Sequence, residues 1–177
     1  MHGYSSYTED VVGAFGKLFE THGMQIVEAD DSNVYAKSSK CGISLGVEFE
    51  DLIISFINPV TEQGFIPSYI LECVHRGTAE LDWPTFEDET DKASPTIKAL
   101  LQLYPSFIEE HFKFILDGDF SWEKQYLSFL EKKRFLNREV YELPDDHPIK
   151  QKFWDNDQNW LPEMAVHMRK SKDWLYS

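Results

Sequence analysis

Cys41-Gly-Ile-Ser-Leu-Gly-Val-Glu-Phe49 alternates throughout. Cys41, Ile43, Leu45, Val47 and Phe49 are apolar, while Gly42, Ser44, Gly46 and Glu48 are small or charged. A period of two marks a strand with one buried face. Leu52-Ile-Ile-Ser-Phe-Ile57 reads as the next strand, with Glu50-Asp51 between them. That connection sets Phe49 opposite Leu52 and keeps Val47 in line with Ile54. Glu-Asp is poor chemistry for a primed turn, which favours a longer or bulged loop. The side chains at Gly42, Ser44 and Gly46 leave the outer face nearly bare, so something is expected to approach closely there, the chain's own helix first.

Upstream, Ser6-Tyr-Thr-Glu9 reads as a capping box, and Val11, Phe15, Leu18 and Phe19 follow at helical spacing. Gly23 is a stop signal, so the first helix is expected over 8–22. Met24–Glu28 and Val34–Lys37 are strand candidates separated by the turn chemistry of Asp30-Asp-Ser-Asn33. The expected fold class is α+β: an N-terminal helix, a four-stranded antiparallel meander, then a mainly helical C-terminal half packed on the sheet.

Downstream, Asn58-Pro59 closes the sheet and Glu62-Gln-Gly64 reads as a loop. The apolar cluster within 65–75 reads as a short helix after Pro67 or as another strand, with the helix favoured. Ser94-Pro95 is an N-cap with proline at the first helical position. Pro105 falls inside the pattern that follows and is expected to kink or split it, and Asp117-Gly-Asp119 ends it. Ser121 is expected to cap a helix carrying Trp122, Tyr126, Phe129 and Leu130, closed by Lys132-Lys-Arg134. Cations at that position complement a helix dipole. One more element is expected from His147-Pro148 and another from Pro162 to Lys172. With 177 residues, the chain reads as a single domain, 1–177. Within it lie helix plus meander (8–57), an irregular acidic connection (58–94) and a helical part (95–177).

Composition narrows the function classes. No window approaches a membrane span, and the first residues show neither basic n-region nor apolar h-region. Cys41 and Cys73 lie in apolar contexts, as reduced thiols of a cytoplasmic protein do. The net charge is −14. Residues 1–120 carry 21 acids against 7 bases, which is all of the imbalance, whereas residues 121–177 carry 10 of each. Such a surface repels nucleic acid and anionic membranes and steers basic partners towards itself, and solubility alone is an equal account of it.

Motifs for catalysis are weak. Gly42-Ile-Ser44-Leu-Gly46 matches G-x-S-x-G, but a nucleophilic serine needs a strand-to-helix turn, and Ser44 lies mid-strand. The histidines are scattered, Cys73-Val-His75 has no second ligand pair, and Glu109-Glu110-His111 reads as a solvated helix face. Asp117/Asp119 and Asp145/Asp146 fit turn and cap duty. No nucleotide loop, metal site or cofactor is signalled. The aromatic–acidic stretch Glu80-Leu-Asp-Trp-Pro-Thr-Phe-Glu-Asp-Glu-Thr-Asp91 is the most distinctive polar segment. Trp83 and Phe86 read first as core anchors of a long loop, and otherwise as part of a partner surface, since aromatics ringed by polar groups are characteristic of interface hot spots. Glu80, Asp82, Trp83, Glu87, Asp88, Glu89 and Asp91 form the first candidate partner surface. Asp30, Asp31, Glu48, Glu50 and Asp51 form the second.

The order of elements also carries a resemblance. Phe19-Glu-Thr-His-Gly-Met-Gln-Ile-Val-Glu28, Val34-Tyr-Ala-Lys37, Gly42–Glu48, Ile53–Ile57 and Tyr104-Pro-Ser-Phe-Ile-Glu-Glu-His-Phe112 follow one another as helix, meander and helix. The pattern, over residues 8–135, resembles immunity proteins of bacterial polymorphic-toxin and contact-dependent growth-inhibition systems. The resemblance implies a cytosolic, non-catalytic protein that binds one cognate toxin domain, often a basic nuclease. It transfers no site residue, because such proteins share architecture rather than a site. The alternatives are a small cytosolic hydrolase or transferase whose site is assembled from distant residues, and a scaffold or adaptor.

Overall fold

The N-terminal helix and the meander behind it are both present in the computed structural model, which describes residues 6–48, 51–74 and 93–177. In chain order the elements are α1 (Ser6–Thr21), β1 (Gln25–Ala29), β2 (Asn33–Lys37), β3 (Gly42–Glu48), β4 (Asp51–Ile57), β5 (Gly64–Phe65), α2 (Pro67–Val74), α3 (Ala93–His111), α4 (Lys113–Leu116), α5 (Glu123–Tyr141), α6 (Pro148–Trp154), α7 (Trp160–His167) and α8 (Lys172–Leu175). The described residues divide into two compact units, one of residues 6–67 and 93–120, the other of 68–74 and 121–177.

In the first unit, α1 buries Val11, Phe15, Leu18 and Phe19, the four residues whose spacing marked it as a helix. It ends in a Schellman motif. Met24 N–H donates to Phe19 C=O at 2.8 Å, Gly23 N–H donates to Glu20 C=O at 3.2 Å, and Gly23 has φ +61°. The sheet has the order β1-β2-β3-β4-β5 with every neighbour antiparallel. Val34, Ala36, Ile43, Leu45, Ile54 and Phe56 are buried. Each large side chain among them contributes about 1.5–3 kcal/mol relative to exposure.

Two details of the sheet differ from expectation. A fifth strand follows the fourth, with Phe65 opposite Phe56 and Gly64 opposite Ile57. Two residues are too few for a periodic signal, yet Phe65 is fully buried and lies 6.0 Å from the ring of Phe120. The β3–β4 register also differs. Val47 pairs with Leu52, Leu45 with Ile54 and Ile43 with Phe56, and Glu48 faces Asp51 across the hairpin. The expected register shifts the pairing by two residues and so keeps the same side chains on the same face, which is why alternation alone permits both. The observed one matches Ile43 with Phe56, where the expected one would set Ile43 against Asn58.

The bare outer face is covered by a neighbouring strand, not by a helix. A Cβ on Gly42 would lie 2.8 Å from Tyr35 Cε2 and Oη, and one on Gly46 would lie 2.6 Å from Asn33 Oδ1. Tyr35, which sits opposite Ser44, leans diagonally over Gly42.

Helix α3 runs unbroken through Pro105. An interior proline costs about 3 kcal/mol. Lys98 of α3 lies 2.8 Å from Asp10 of α1, and Glu109 lies 2.6 Å from His22, just past the end of α1. The chain breaks instead at Phe112, whose buried ring meets Phe56 at 5.0 Å and Phe107 at 6.0 Å. Asp117 and Gly118 (φ +93°) then end α4.

In the second unit, α5 begins at Glu123 with Trp122, not Ser121, at the N-cap position. Trp122 is buried and stacks edge-on against Tyr126 at 5.8 Å, which fixes the start of the helix. Lys132-Lys-Arg134 does not close α5, which continues to Tyr141. These lysines act across the fold. Lys133 Nζ donates to Glu72 Oε2 of α2 at 2.6 Å, and Lys132 Nζ donates to Ser177 C=O at 2.7 Å. The true end of α5 is held by Lys150, which is buried and donates to the carbonyls of Tyr141 (3.1 Å) and Leu143 (2.8 Å). Helix α6 starts at Pro148, where an element was expected, and His147 caps it, its Nδ1 accepting from Ile149 N–H. The single helix expected from Pro162 to Lys172 is instead α7 and α8. Arg169 (φ +59°) turns the chain between them, and Ser171 Oγ caps α8 by accepting from Trp174 N–H.

Candidate partner-binding surface

The first candidate set, Glu80, Asp82, Trp83, Glu87, Asp88, Glu89 and Asp91, lies outside the described residues, as does Glu50 of the second. The remaining four, Asp30, Asp31, Glu48 and Asp51, are all exposed. In a sequential antiparallel meander, the β1–β2 and β3–β4 turns fall at the same end of the sheet. The two hairpins touch there: Val47 N–H donates to Ser32 C=O at 2.9 Å, and Asn33 pairs with Gly46. Two pairs of carboxylates distant from each other in sequence, Asp30 and Asp31 with Glu48 and Asp51, therefore share one sheet end.

They are not equivalent. The Asp30 carboxylate accepts from the backbone N–H of Ser32 and of Asn33, both at 2.8 Å, and from Ser32 Oγ at 3.2 Å. These backbone donors hold its pKa below the ordinary carboxylate value. Its carbonyl accepts from Thr8 Oγ1 at 3.2 Å, tying the start of α1 to the same end. Tyr7 lies close by, its phenol pushed up to about 12 by burial and then by the Asp30 charge. Asp30 is thus committed to the turn, whereas Asp31 beside it is open to solvent. Glu48 and Asp51 are direct cross-strand partners. Like charges placed opposite one another destabilise a hairpin, so folding alone does not favour this pair.

Other chemistry is arranged differently. Ser44 sits inside β3, opposite Tyr35 and Ser55, with no turn to expose it as a nucleophile. Burial pushes the Cys41 thiol up to about 12 and the Cys73 thiol to about 11, which suppresses the reactive thiolate. Glu109 is not a bare solvated group, since it pairs with His22, and His111 packs on Phe107 with ring centroids 4.6 Å apart. Asp145 accepts from Lys150, and Asp117 pairs with Lys113 at 3.3 Å. Among the described residues no cluster of three or more His, Cys, Asp or Glu is placed to hold a metal ion. An open groove of about 600 Å³ between α1 and α3 is lined by Lys17, Gln102, Ser106, Glu109 and Glu110 with apolar neighbours. No helix of the described residues is long and apolar enough to cross a membrane.

The acids at the sheet end were visible in the sequence as turn residues, but their convergence depends on strand order. The division of labour between Asp30 and Asp31 was invisible, because both are aspartates in one turn. No protein-family model, curated protein or solved structure matches this chain.

Proposed function

We propose that this chain is a non-catalytic acidic binding protein, an immunity protein that binds and neutralises a basic, nuclease-type toxin domain in the cytoplasm. The observation that carries the reading is the gathering of Asp31, Glu48 and Asp51, with Asp30 shaping the turn, at one sheet end. An opposed carboxylate pair that costs hairpin stability is explained by a cationic partner that neutralises it. Steering by such a face raises association from about 10⁵–10⁶ M⁻¹s⁻¹ towards about 10⁸ M⁻¹s⁻¹ at low salt. The charge distribution supports the same partner, since the acidic excess belongs to residues 1–120.

The test is a pull-down of the tagged chain from its native host, washed in high salt. One stoichiometric basic partner is expected, a C-terminal fragment of a large secreted protein. The triple reversal Asp31→Lys/Glu48→Lys/Asp51→Lys should then slow association and flatten its salt dependence while the fold stays intact. The same reversal over Glu80, Asp82, Glu87, Asp88, Glu89 and Asp91 tests the other acidic stretch. A partner whose binding neither reversal affects would sink the electrostatic reading.

A further inference from the structure

Helix α5 buries Tyr126, Phe129, Leu136 and Val140 on one side. On the opposite side Leu127, Glu131, Arg134, Arg138 and Tyr141 follow one another at spacings of four, three, four and three. At 1.5 Å per residue, this exposed stripe is about 21 Å long. Its ends are apolar: Leu127 is 44% exposed and Tyr141 52%. Trp154, 55% exposed, sets its ring edge-on to Tyr141 at 5.6 Å and widens that end. The middle is charged. Lys132, Lys133, Lys150 and Lys152 of the same unit are each engaged by a named acceptor. Among the described residues, Arg134 and Arg138 have no ion-pair partner. An open concavity of about 500 Å³ lies along Glu131, Arg134, Arg138 and Tyr141.

Read in one direction the stripe is Leu, Glu, Arg, Arg, Tyr. Against its own reverse, Leu127 falls opposite Tyr141, Glu131 opposite Arg138, and Arg134 opposite itself. We infer that this face is a self-complementary surface on which a second copy of the chain docks, α5 against α5, antiparallel about a two-fold axis at Arg134. An isologous contact requires this reciprocity, each residue meeting its counterpart's partner. Leu127 of one copy packs on Tyr141 and Trp154 of the other, and two Glu131–Arg138 pairs flank the axis. Only Arg134 meets a like charge. The acidity that would keep two copies apart belongs to residues 1–120, while residues 121–177 are balanced at 10 acids and 10 bases. One helix stripe falls short of the roughly 1,200 Å² of a stable interface, so the dimer is weak and concentration-dependent.

Sedimentation of the full chain from about 10 μM to about 1 mM tests this, weak self-association being a matter of a few kcal/mol. Wild type should shift from monomer to dimer across that range. Glu131→Arg and Arg138→Glu should each remain monomeric alone, because each sets like charges together. Mixed in equal amounts they should pair with each other, at least about tenfold more tightly than either pairs with itself. Arg134→Gln should tighten the wild-type dimer by removing the one repulsion. Restored pairing in the mixture also shows that both variants are folded. A chain that stays monomeric at every concentration, with or without Arg134→Gln, would overturn the inference. So would a dimer indifferent to Glu131→Arg and Arg138→Glu.

Discussion

Lys150 and Asp145 form an ion pair whose halves occupy opposite surroundings. Nζ lies 2.8 Å from Oδ1, yet the lysine side chain is 9% exposed and the carboxylate 99%. The pair is one-third of the lysine's work, since the same Nζ also donates to the carbonyls of Tyr141 and Leu143 at the end of α5. A buried cation is tolerated here because every donor has an acceptor.

Lys150→Met keeps the apolar stem and removes all three donors. Leaving those carbonyls unsatisfied should destabilise the second unit by about 1–3 kcal/mol. Asp145→Asn, which touches only the exposed acceptor, should cost less. Urea unfolding followed by tryptophan fluorescence compares them. Equal losses would show that the carbonyl contacts contribute nothing.

Asp30 and Asp31 should separate cleanly by mutation. Asp30→Ala removes the acceptor that shapes the β1–β2 turn and should lower Tm at pH 7, whereas Asp31→Ala should leave Tm unchanged. The Asp30 carboxyl is held below its ordinary value of 3.8 in the folded state. Its contribution is therefore complete above that pH and is lost as pH falls through the lower folded value. The Tm difference between wild type and Asp30→Ala should shrink as the pH is lowered from about 4 to about 2. A difference constant with pH would mean that the ionised carboxylate is not what holds the turn.

Gly42 should be intolerant of a side chain while Tyr35 remains. Its Cβ would also lie 3.2 Å from Ile57 Cβ, so Gly42→Ala should cost about 1–3 kcal/mol. In a Tyr35→Ala background the same change should cost less, with a coupling of about 0.5–3 kcal/mol. A double-mutant cycle with no coupling would mean that the ring does not occupy that space.

The thiols should be silent in the native protein. Both are free and buried. At pH 8 a disulfide reagent should label native Cys41 and Cys73 at least about 100-fold more slowly than the denatured chain, where both titrate freely. Fast labelling confined to Cys73 would show that α2 opens away from α5.

Much of the fold was legible because its signals are local. Alternation in 41–49 and 52–57 marked β3 and β4, and the spacing of Val11, Phe15, Leu18 and Phe19 marked α1. What escaped was long-range. Sliding β3 against β4 by two residues preserves every inward side chain, so pattern could not choose between those registers. Lys132-Lys-Arg134 resembled a helix end because the acceptors that occupy these lysines, on Glu72 and Ser177, are remote in sequence. The grouping of Asp30, Asp31, Glu48 and Asp51 required the order of strands, which no single turn contains.

The second unit takes α2 from one part of the chain and the rest from beyond residue 120. Glu72 and Lys133, which bind each other, are 61 residues apart, and Gln125 donates to the Cys73 carbonyl across 52. On the ribosome this separation becomes a delay. At roughly 5–20 residues per second, Lys133 is added some 3–12 s after Glu72, and every strand of the sheet is already made by then. For most of that interval α2, whose Ile70, Leu71 and Cys73 are buried in the finished protein, lacks the Lys133 and Gln125 that bind it. The nascent chain thus carries a sticky apolar segment behind a nearly complete sheet, and a chaperone that engages α2 during synthesis would find it only in this window.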